Sequence, residues 1–219
     1  AIIISPLFVL LALVLLPLGQ IVGWQFERSK DGIGAYTANV LASLAGILLY
    51  TLLCYFWQPP TFWMLVAGAV SAVLFARHRF VQVSCLVVFA ICAALASWHN
   101  EAGETEYWSP YQKLSLSPEP PSGKPIRYNL FTNDSWYQKI IDLSPNFVAS
   151  HEHLFQGVPI SLNAYNLPYR FYPAPPSVLV LGAGTGNDVA AALRNDAGRV
   201  VAVEIDPLIL QLGRDFHFE

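Results

Sequence analysis

The sequence VLVLGAGTGNDVAAALRNDAGRVVAVEID, residues 178–206, indicates the fold of the second half of the chain. Runs of aliphatic residues, glycines and helix formers predict a strand at 178–181, a loop at 182–186, a helix at 188–194 and a strand at 200–203. A helix at 207–217 is predicted directly after this stretch. A strand, a glycine loop, a helix and a second strand in this order are typical of the start of a doubly wound α/β domain.

The spacing of the glycines indicates the class of ligand. Gly182, Gly184 and Gly186 allow a tight turn and a close approach of the backbone to a ligand, beside the free N–H groups of the next helix. The dinucleotide pattern G-x-G-x-x-G requires glycine at position 187, where this chain has Asn187. G-x-G-x-G is instead typical of class I S-adenosylmethionine folds. Glu204 ends the second strand, where a carboxylate can accept hydrogen bonds from both ribose hydroxyls. We therefore predict a nucleoside site, the alternative being a glycine-rich turn without a ligand.

The first hundred residues are strongly apolar. The chain has 219 residues with 54% hydrophobic and 12% charged side chains, whereas soluble domains have about 25% charged residues. A helix needs about 20 mainly apolar residues to cross a bilayer. Four stretches suggest such spans, at 2–24, 35–57, 61–76 and 80–98. The sequence therefore predicts a multi-pass helical membrane domain with the lipid bilayer as its partner.

The orientation of this domain stays open. Arg28 and Lys30 follow the first predicted span and Arg77 and Arg79 follow the third, which places both loops in the cytoplasm. Four spans would then put the rest of the chain on the opposite side, although a nucleotide cofactor favours the cytoplasm. The predicted spans contain no carboxylate or basic side chain, which disfavours an ion-coupled transporter.

The predicted fold class is a multi-pass α-helical membrane domain, a small β-rich cap and the start of a class I S-adenosylmethionine-type Rossmann-like α/β domain. The predicted domains are 1–98 transmembrane, 99–124 linker with a first strand at 111–117, 125–176 β-rich cap and 177–219 Rossmann-like. Asn133 and Asp134 predict the turn of a hairpin in the cap. Because two strands and two helices cannot close a doubly wound sheet, we expect a truncated domain with catalytic residues beyond Glu219.

Three motifs resemble the spermidine synthases (polyamine aminopropyltransferases), and more closely their membrane-fused bacterial relatives, over about residues 107–219. SPYQKLSL is similar to the first strand of that family and implies that Gln112 contacts the nucleoside cofactor. NDSWYQ resembles L-D-G-x-x-Q, which implies Asp134 and Gln138 near the same pocket. VLVLGAGTGND and VAVEIDP resemble the cofactor core, with Glu204 on the ribose. The resemblance implies S-adenosylmethionine or its decarboxylated form as cofactor and the bacterial cell membrane as location.

The departures from that family concern acidic residues. Thr185 stands where the family's loop has an acid, and the Tyr-His-Glu stretch appears here as AYNLPY, which keeps only Tyr165. Polyamine sites need carboxylates to balance buried ammonium groups, so these losses disfavour a polyamine substrate. Asp188 either lies at the helix start as an N-terminal charge or contacts the cofactor's amino group. The predicted cofactor contacts are Gln112, Asp134, Gln138, Gly182, Gly184, Thr185, Gly186, Asp188 and Glu204.

Other polar and sulfur-containing residues receive structural interpretations. His151, Glu152 and His153 have no further ligand nearby in sequence, so we predict a surface or pocket-edge role and no metal site. Arg214 and His217 are expected on a solvated helix face. The three cysteines lie in apolar runs and are predicted to be packing residues: Cys54, Cys85 and Cys92. The net charge of −3 and the lack of a basic patch predict no nucleic-acid partner.

Four functions are compatible with this sequence. The first is a membrane-anchored spermidine synthase-like transferase that holds a small-molecule amine in line with the sulfonium carbon of its cofactor. The second is an S-adenosylmethionine-dependent methyltransferase, which Thr185 favours. The third is a non-catalytic membrane protein with a nucleoside-sensing domain, and the fourth is a transporter-like module with a regulatory tail. Whether the protein is an enzyme stays open, as does assembly into a homo-oligomer.

Overall fold

A computed structural model describes residues 4–97, 103–155 and 159–219. The chain divides into two compact units, Ala1–Leu52 and Leu53–Glu219. The first unit contains helix α1 (Ile4–Arg28) and most of helix α2 (Gly32–Tyr55). Between them, the Asp31 carboxylate accepts a hydrogen bond from the Gly34 N–H at 2.9 Å. Asp31 thereby satisfies one of the free N–H groups at the start of α2.

The second unit begins with a helical hairpin. It consists of α3 (Pro60–Leu74) and α4 (Arg79–Ala96). The Gln82 amide donates to the Ala72 carbonyl at 2.9 Å near the turn, and the Thr61 and Ser97 hydroxyls lie 3.0 Å apart at the open end. The two helices are therefore antiparallel and tied at both ends.

The prediction of a multi-pass domain with about four spans is wrong. Among the described residues, only α2 (24 residues, mean hydropathy 1.8) and α4 (18 residues, mean hydropathy 2.1) are long and apolar enough to cross a membrane. The predicted span 61–76 forms the 15-residue helix α3, which at 1.5 Å per residue reaches about 22 Å and is too short for a hydrocarbon core of about 30 Å. Residues 2 and 3 of the first predicted span and residue 98 of the last one lie outside the described residues. The rest of the chain is a mixed α/β fold with a small antiparallel sheet.

The antiparallel sheet has four strands in the order in which they occur along the chain. They are β1 (Thr105–Trp108), β2 (Lys113–Glu119), β3 (Arg127–Thr132) and β4 (Ser135–Ile141). The turn predicted at Asn133 and Asp134 is confirmed, and both residues have the positive φ angles, 48° and 62°, of a tight hairpin turn. β1 is an additional strand in the segment predicted as a linker. It was missed because TEYW has only four residues, too few for a clear alternating pattern.

The elements predicted for the glycine-rich stretch are present. β5 (Val178–Leu181) and β6 (Val200–Val203) pair in parallel. The short helices α5 (Pro145–Ser150) and α6 (Leu167–Phe171) precede them, and two 3-10 turns, Glu152–Leu154 and Ile160–Leu162, lie near these helices. Helices α7 (Asn187–Arg194) and α8 (Pro207–Phe216) follow the two parallel strands. The predicted β-α-β-α order is therefore confirmed, with helix ends displaced by one residue.

One hydrophobic core joins the antiparallel sheet to α8. Its buried members are Leu114, Leu116, Leu130, Ile140, Leu208, Ile209 and Leu212. Gln138 is paired with Leu130 in register and lies two residues before Ile140, so its side chain lies on the same face of the sheet as this core. Burying each large aliphatic side chain stabilises the fold by about 1.5–3 kcal/mol. This packing places β4 and the β1–β2 turn beside the glycine loop.

One face of the two parallel strands, β5 and β6, is exposed. Leu179 and Leu181 of β5 and Val201 and Val203 of β6 are exposed. In doubly wound folds both faces of the sheet are covered by helices. Among the described residues, no element covers this face of β5 and β6.

Candidate nucleoside site

The glycine loop has the backbone conformation that its composition requires. Gly182, Gly184 and Gly186 have φ angles of 70°, 56° and 104°, a region that favours glycine. A Cβ on Gly184 would also lie 2.7 Å from the side-chain oxygen of Gln138. A Cβ on Gly182 would meet no atom within 4 Å. The loop is therefore crowded at Gly184 and open at Gly182, where a ligand has room to approach the backbone.

Glu204 lies directly beside this loop. Its Oε2 accepts a hydrogen bond from the Gly184 N–H at 2.8 Å. Its Oε1 accepts from the backbone N–H groups of Ile205 and Asp206 at 2.8 and 3.0 Å. A carboxylate has about four acceptor positions, so a position remains for a ligand hydroxyl. The structure thus brings Glu204, the residue predicted to bind the ribose, next to the backbone of the glycine loop.

Gln138 of β4 reaches the same loop. Its side-chain amide donates to the Thr185 hydroxyl at 3.0 Å, and Thr185 is buried. The predicted contacts Gln138, Gly184, Thr185 and Glu204 are therefore brought together.

Gln112 reaches the site through a residue that the sequence interpretation missed. Its side-chain amide donates to Asp206 Oδ2 at 3.3 Å, and the Ser109 hydroxyl donates to the same oxygen at 2.7 Å. Asp206 also caps α8, because its Oδ1 accepts from the Leu208 N–H at 3.0 Å. Its position directly before Pro207 at a helix start is a recognisable N-cap signal. The link to Gln112 has no such local signal.

Asp134 and Asp188 make no direct contribution to the loop contacts just described. The exposed Asp134 carboxylate pairs with the Lys113 ammonium at 2.9 Å, and Lys113 also pairs with Glu106 at 2.8 Å. Asp188 lies partly exposed in the first turn of α7, where partial burial raises the pKa of its carboxyl. The structure therefore places Asp134 in a cross-strand ion pair at the hairpin.

Asn187, which stands where the dinucleotide pattern has glycine, is buried, and its side chain makes three hydrogen bonds. Only 3% of its surface is exposed. Its amide nitrogen donates to the Lys139 carbonyl at 2.6 Å and to the Tyr165 hydroxyl at 3.1 Å. Its side-chain oxygen accepts from His217 Nε2 at 3.2 Å. Tyr165, the residue that remains of the Tyr-His-Glu stretch, contacts the start of α7 through its bond with Asn187.

The expectation that His217 lies on a solvated face is wrong. The imidazole is half-buried, and this burial lowers its pKa. The Glu219 N–H donates to Nδ1 at 3.3 Å while Nε2 faces the Asn187 oxygen. These two contacts suit the neutral ring with its proton on Nε2. The short helix-end sequence gave no signal of this burial.

Tyr137 is a second residue that sequence interpretation did not assign to the site. Burial raises the pKa of its hydroxyl, and the nearby carboxylates of Glu204 and Asp206 raise it further, as does Tyr165. The phenol therefore lies in the electrostatic field of the two acids at the end of β6.

A cavity of about 650 Å³ borders the other side of the loop. Thr185, Gly186, Leu193 of α7 and Leu210 of α8 are among its lining residues. Glu204, Gln112 and Gln138 do not line it. The cavity therefore lies between the two helices and shares Gly184, Thr185 and Gly186 with the predicted nucleoside contacts, whereas the side chains of Gln112, Gln138 and Glu204 lie outside it.

The histidine pair belongs to a different surface. The His151 ring stacks on Phe147 with centroids 4.1 Å apart, and the His151 and His153 rings lie 6.1 Å apart. In the described parts of the chain, no group of three or more histidine, cysteine, aspartate or glutamate residues is arranged to hold a metal ion.

Comparison with known proteins corrects the resemblance drawn from the sequence. No protein-family model and no solved structure matches the chain. A stretch of 64 residues is 41% identical to the ribosomal protein L11 methyltransferase of Pelobacter propionicus and covers 29% of this chain and 17% of that relative. This relative is a methyltransferase, so the assignment to the spermidine synthase family, which rested on short motifs, is overturned. The chain has partial similarity to a methyltransferase.

Proposed function

We propose that this chain contains the cofactor loop of an S-adenosylmethionine-dependent methyltransferase. The observation that carries the proposal is the hydrogen bond between the Gly184 N–H and Glu204, 2.8 Å long, beside three glycines with positive φ. These groups lie at the carboxyl ends of the parallel strands β5 and β6, where α/β folds bind their ligands. The partial similarity to a methyltransferase supports the same class of reaction.

The residues of the loop suit such a cofactor. Glu204 keeps one acceptor position for a ribose hydroxyl, and the open backbone at Gly182 admits the amino-acid end of the ligand. When bound, the cofactor supplies a methyl group on a sulfonium centre. The chain's own part is to hold the nucleoside so that an acceptor can meet that methyl group in line.

The proposal is tested by calorimetric titration of the full-length, detergent-solubilised protein with S-adenosylmethionine. We expect binding by the wild type and a loss of at least about tenfold in affinity, about 1.4 kcal/mol, in Glu204→Gln. Glu152→Gln is the matched control, because Glu152 is an exposed glutamate outside the site. A wild-type protein that gives no binding heat, or equal affinities for wild type and Glu204→Gln, would contradict the proposal.

A further inference from the structure

Asp206 does more than cap a helix. It is 1% exposed and is the one buried carboxylate in the described parts of the chain. Helix capping uses its Oδ1, which accepts from the Leu208 N–H at 3.0 Å, and serine, threonine or asparagine would serve equally well there. Its Oδ2 instead receives two donors from the β1–β2 turn, about one hundred residues earlier in the chain. Capping alone does not account for this second oxygen.

The turn that meets Asp206 is itself held by a side chain. The Ser109 hydroxyl accepts from the backbone N–H groups of Tyr111 and Gln112, both at 3.1 Å, and donates to Asp206 at 2.7 Å. The Ser109 N–H donates to the Gln112 carbonyl at 3.0 Å. The backbone of Gln112 is therefore fixed before its side chain reaches Asp206.

The Asp206 carboxylate decides which end of the Gln112 amide faces it. The oxygen and nitrogen of a glutamine amide have nearly the same shape, and an ionised carboxylate accepts hydrogen bonds without donating. The nitrogen of Gln112 must therefore face Asp206, at 3.3 Å. The amide oxygen then points away from Asp206, and in the described parts of the chain it has no hydrogen-bond partner. Gln112 presents an acceptor there.

Gln112 is connected through Asp206 to Glu204, the residue proposed to bind the ribose. The Asp206 N–H donates to Glu204 Oε1 at 3.0 Å, so one residue contacts both Glu204 and Gln112. On the basis of the proposed function, we infer that Asp206 is a positioning residue. It orients Gln112 so that the amide oxygen accepts a hydrogen bond from a hydroxyl or amino group of the bound nucleoside.

The test exchanges the donor and acceptor of this pair. Asp206→Asn retains the cap of α8 but presents an N–H₂ group to the Gln112 nitrogen, and Gln112→Glu places a second carboxylate against Asp206. Each single variant is expected to weaken S-adenosylmethionine binding about tenfold or more. In the double variant, the amide donates to the new carboxylate, which keeps an acceptor for the ligand. Its dissociation constant is expected to return to within about threefold of the wild type.

A merely structural role for Asp206 would give no such recovery. The inference is overturned if the double variant binds as weakly as the two single effects combined, or if Asp206→Asn binds like the wild type. Thermal unfolding shows whether each variant is folded. If Asp206→Asn does not fold, Gln112→Met, which removes the amide and leaves Asp206 in place, must still lose about tenfold in affinity. Unchanged affinity in this variant also overturns the inference.

Titration of the wild type and Glu204→Gln separates this inference from the proposed function. Suppose that the wild type binds and that Glu204→Gln weakens binding. If the affinity losses of Asp206→Asn and Gln112→Glu then add up in the double variant, only the role of Asp206 is refuted. If the wild type does not bind S-adenosylmethionine, the proposed function fails and the inference fails with it.

Discussion

Single side chains from distant parts of the chain hold the glycine loop. Gln138 contacts Thr185 from β4, Asn187 contacts the backbone of Lys139, and Glu204 contacts the N–H of Gly184. Gln138 and Lys139 belong to β4 and Glu204 follows β6, so these bonds tie the loop and the start of α7 to two strands. The shape of the loop therefore depends on its own glycines and on polar side chains that surround it.

A loop position can require glycine because of its positive φ angle or because a neighbouring atom leaves no space for a Cβ. Gly184 has both constraints, and Gly182 has only the first. Gly184→Ala combines a left-handed backbone with a Cβ 2.7 Å from the end of the Gln138 side chain, which must move and lose its hydrogen bond to Thr185, so we expect it to lower the free energy of unfolding by about 2–4 kcal/mol. Gly182→Ala is the matched control, because it has the same kind of backbone but open space and should lose about 1–2 kcal/mol. Chemical denaturation measures both values. Equal losses would show that the contact with Gln138 does not matter.

His217 is expected to make stability depend on pH. Its folded pKa is lowered from the ordinary value of 6.5, first by burial. Above pH 6.5 the imidazole is neutral in both states and its contribution to stability is complete. As pH falls below 6.5 toward the folded pKa, the unfolded state binds more protons and that contribution is lost.

His217→Gln provides the control for this pH effect. The glutamine amide can still donate to Asn187 but does not titrate. We expect the wild type to lose more unfolding free energy than the variant when the pH is lowered from about 7.5 to about 5.5. Parallel pH profiles of the two proteins, measured by chemical denaturation, would show that His217 does not contribute.

At the scale of elements, α8 joins the antiparallel sheet to the parallel strands. Leu212 is 2% exposed on the face of α8 that packs against the sheet, whereas Leu210 on the same helix is 38% exposed. Leu212→Ala should therefore cost about 2–5 kcal/mol, and Leu210→Ala clearly less. Urea denaturation of both variants measures this difference. Similar losses would mean that the sheet does not depend on α8 for its core.

At the scale of the whole molecule, α2 and α4 have the length and composition to cross a membrane. We expect the expressed protein to sediment with membranes and to be released by detergent rather than by high salt. Val88→Lys places a charge at the middle of α4 and should weaken this association, because a central lysine costs about 2.5–3.5 kcal/mol. Phe80→Lys, in the first turn of α4, is the control, because Phe80 is exposed and a terminal lysine can extend to the interface. Wild-type protein in the supernatant would contradict the expectation.

Local sequence features were sufficient for the glycine loop, the order of β5, α7, β6 and α8, and the hairpin turn at Asn133 and Asp134. Each of these depends on residues that are neighbours in sequence: glycine for positive φ, aliphatic runs for buried strands, and turn formers between strands. Short motifs such as NDSWYQ were insufficient for the family, because each covers only a few residues, whereas the similarity to a methyltransferase extends over 64 residues.

The contacts between polar side chains around the loop depend on long-range packing. Gln112 and Asp206 are 94 residues apart in sequence, and Asn187 and Lys139 are 48 apart. Their contacts exist because the antiparallel sheet packs on α8 through the core that includes Leu130. Neighbouring residues were enough to specify the backbone conformation of the loop and the position of Glu204 at the end of β6. The packing of the sheet against α8 determined the polar network around them, because hydrogen bonds between distant residues form only where a shared core brings their strands and helices together.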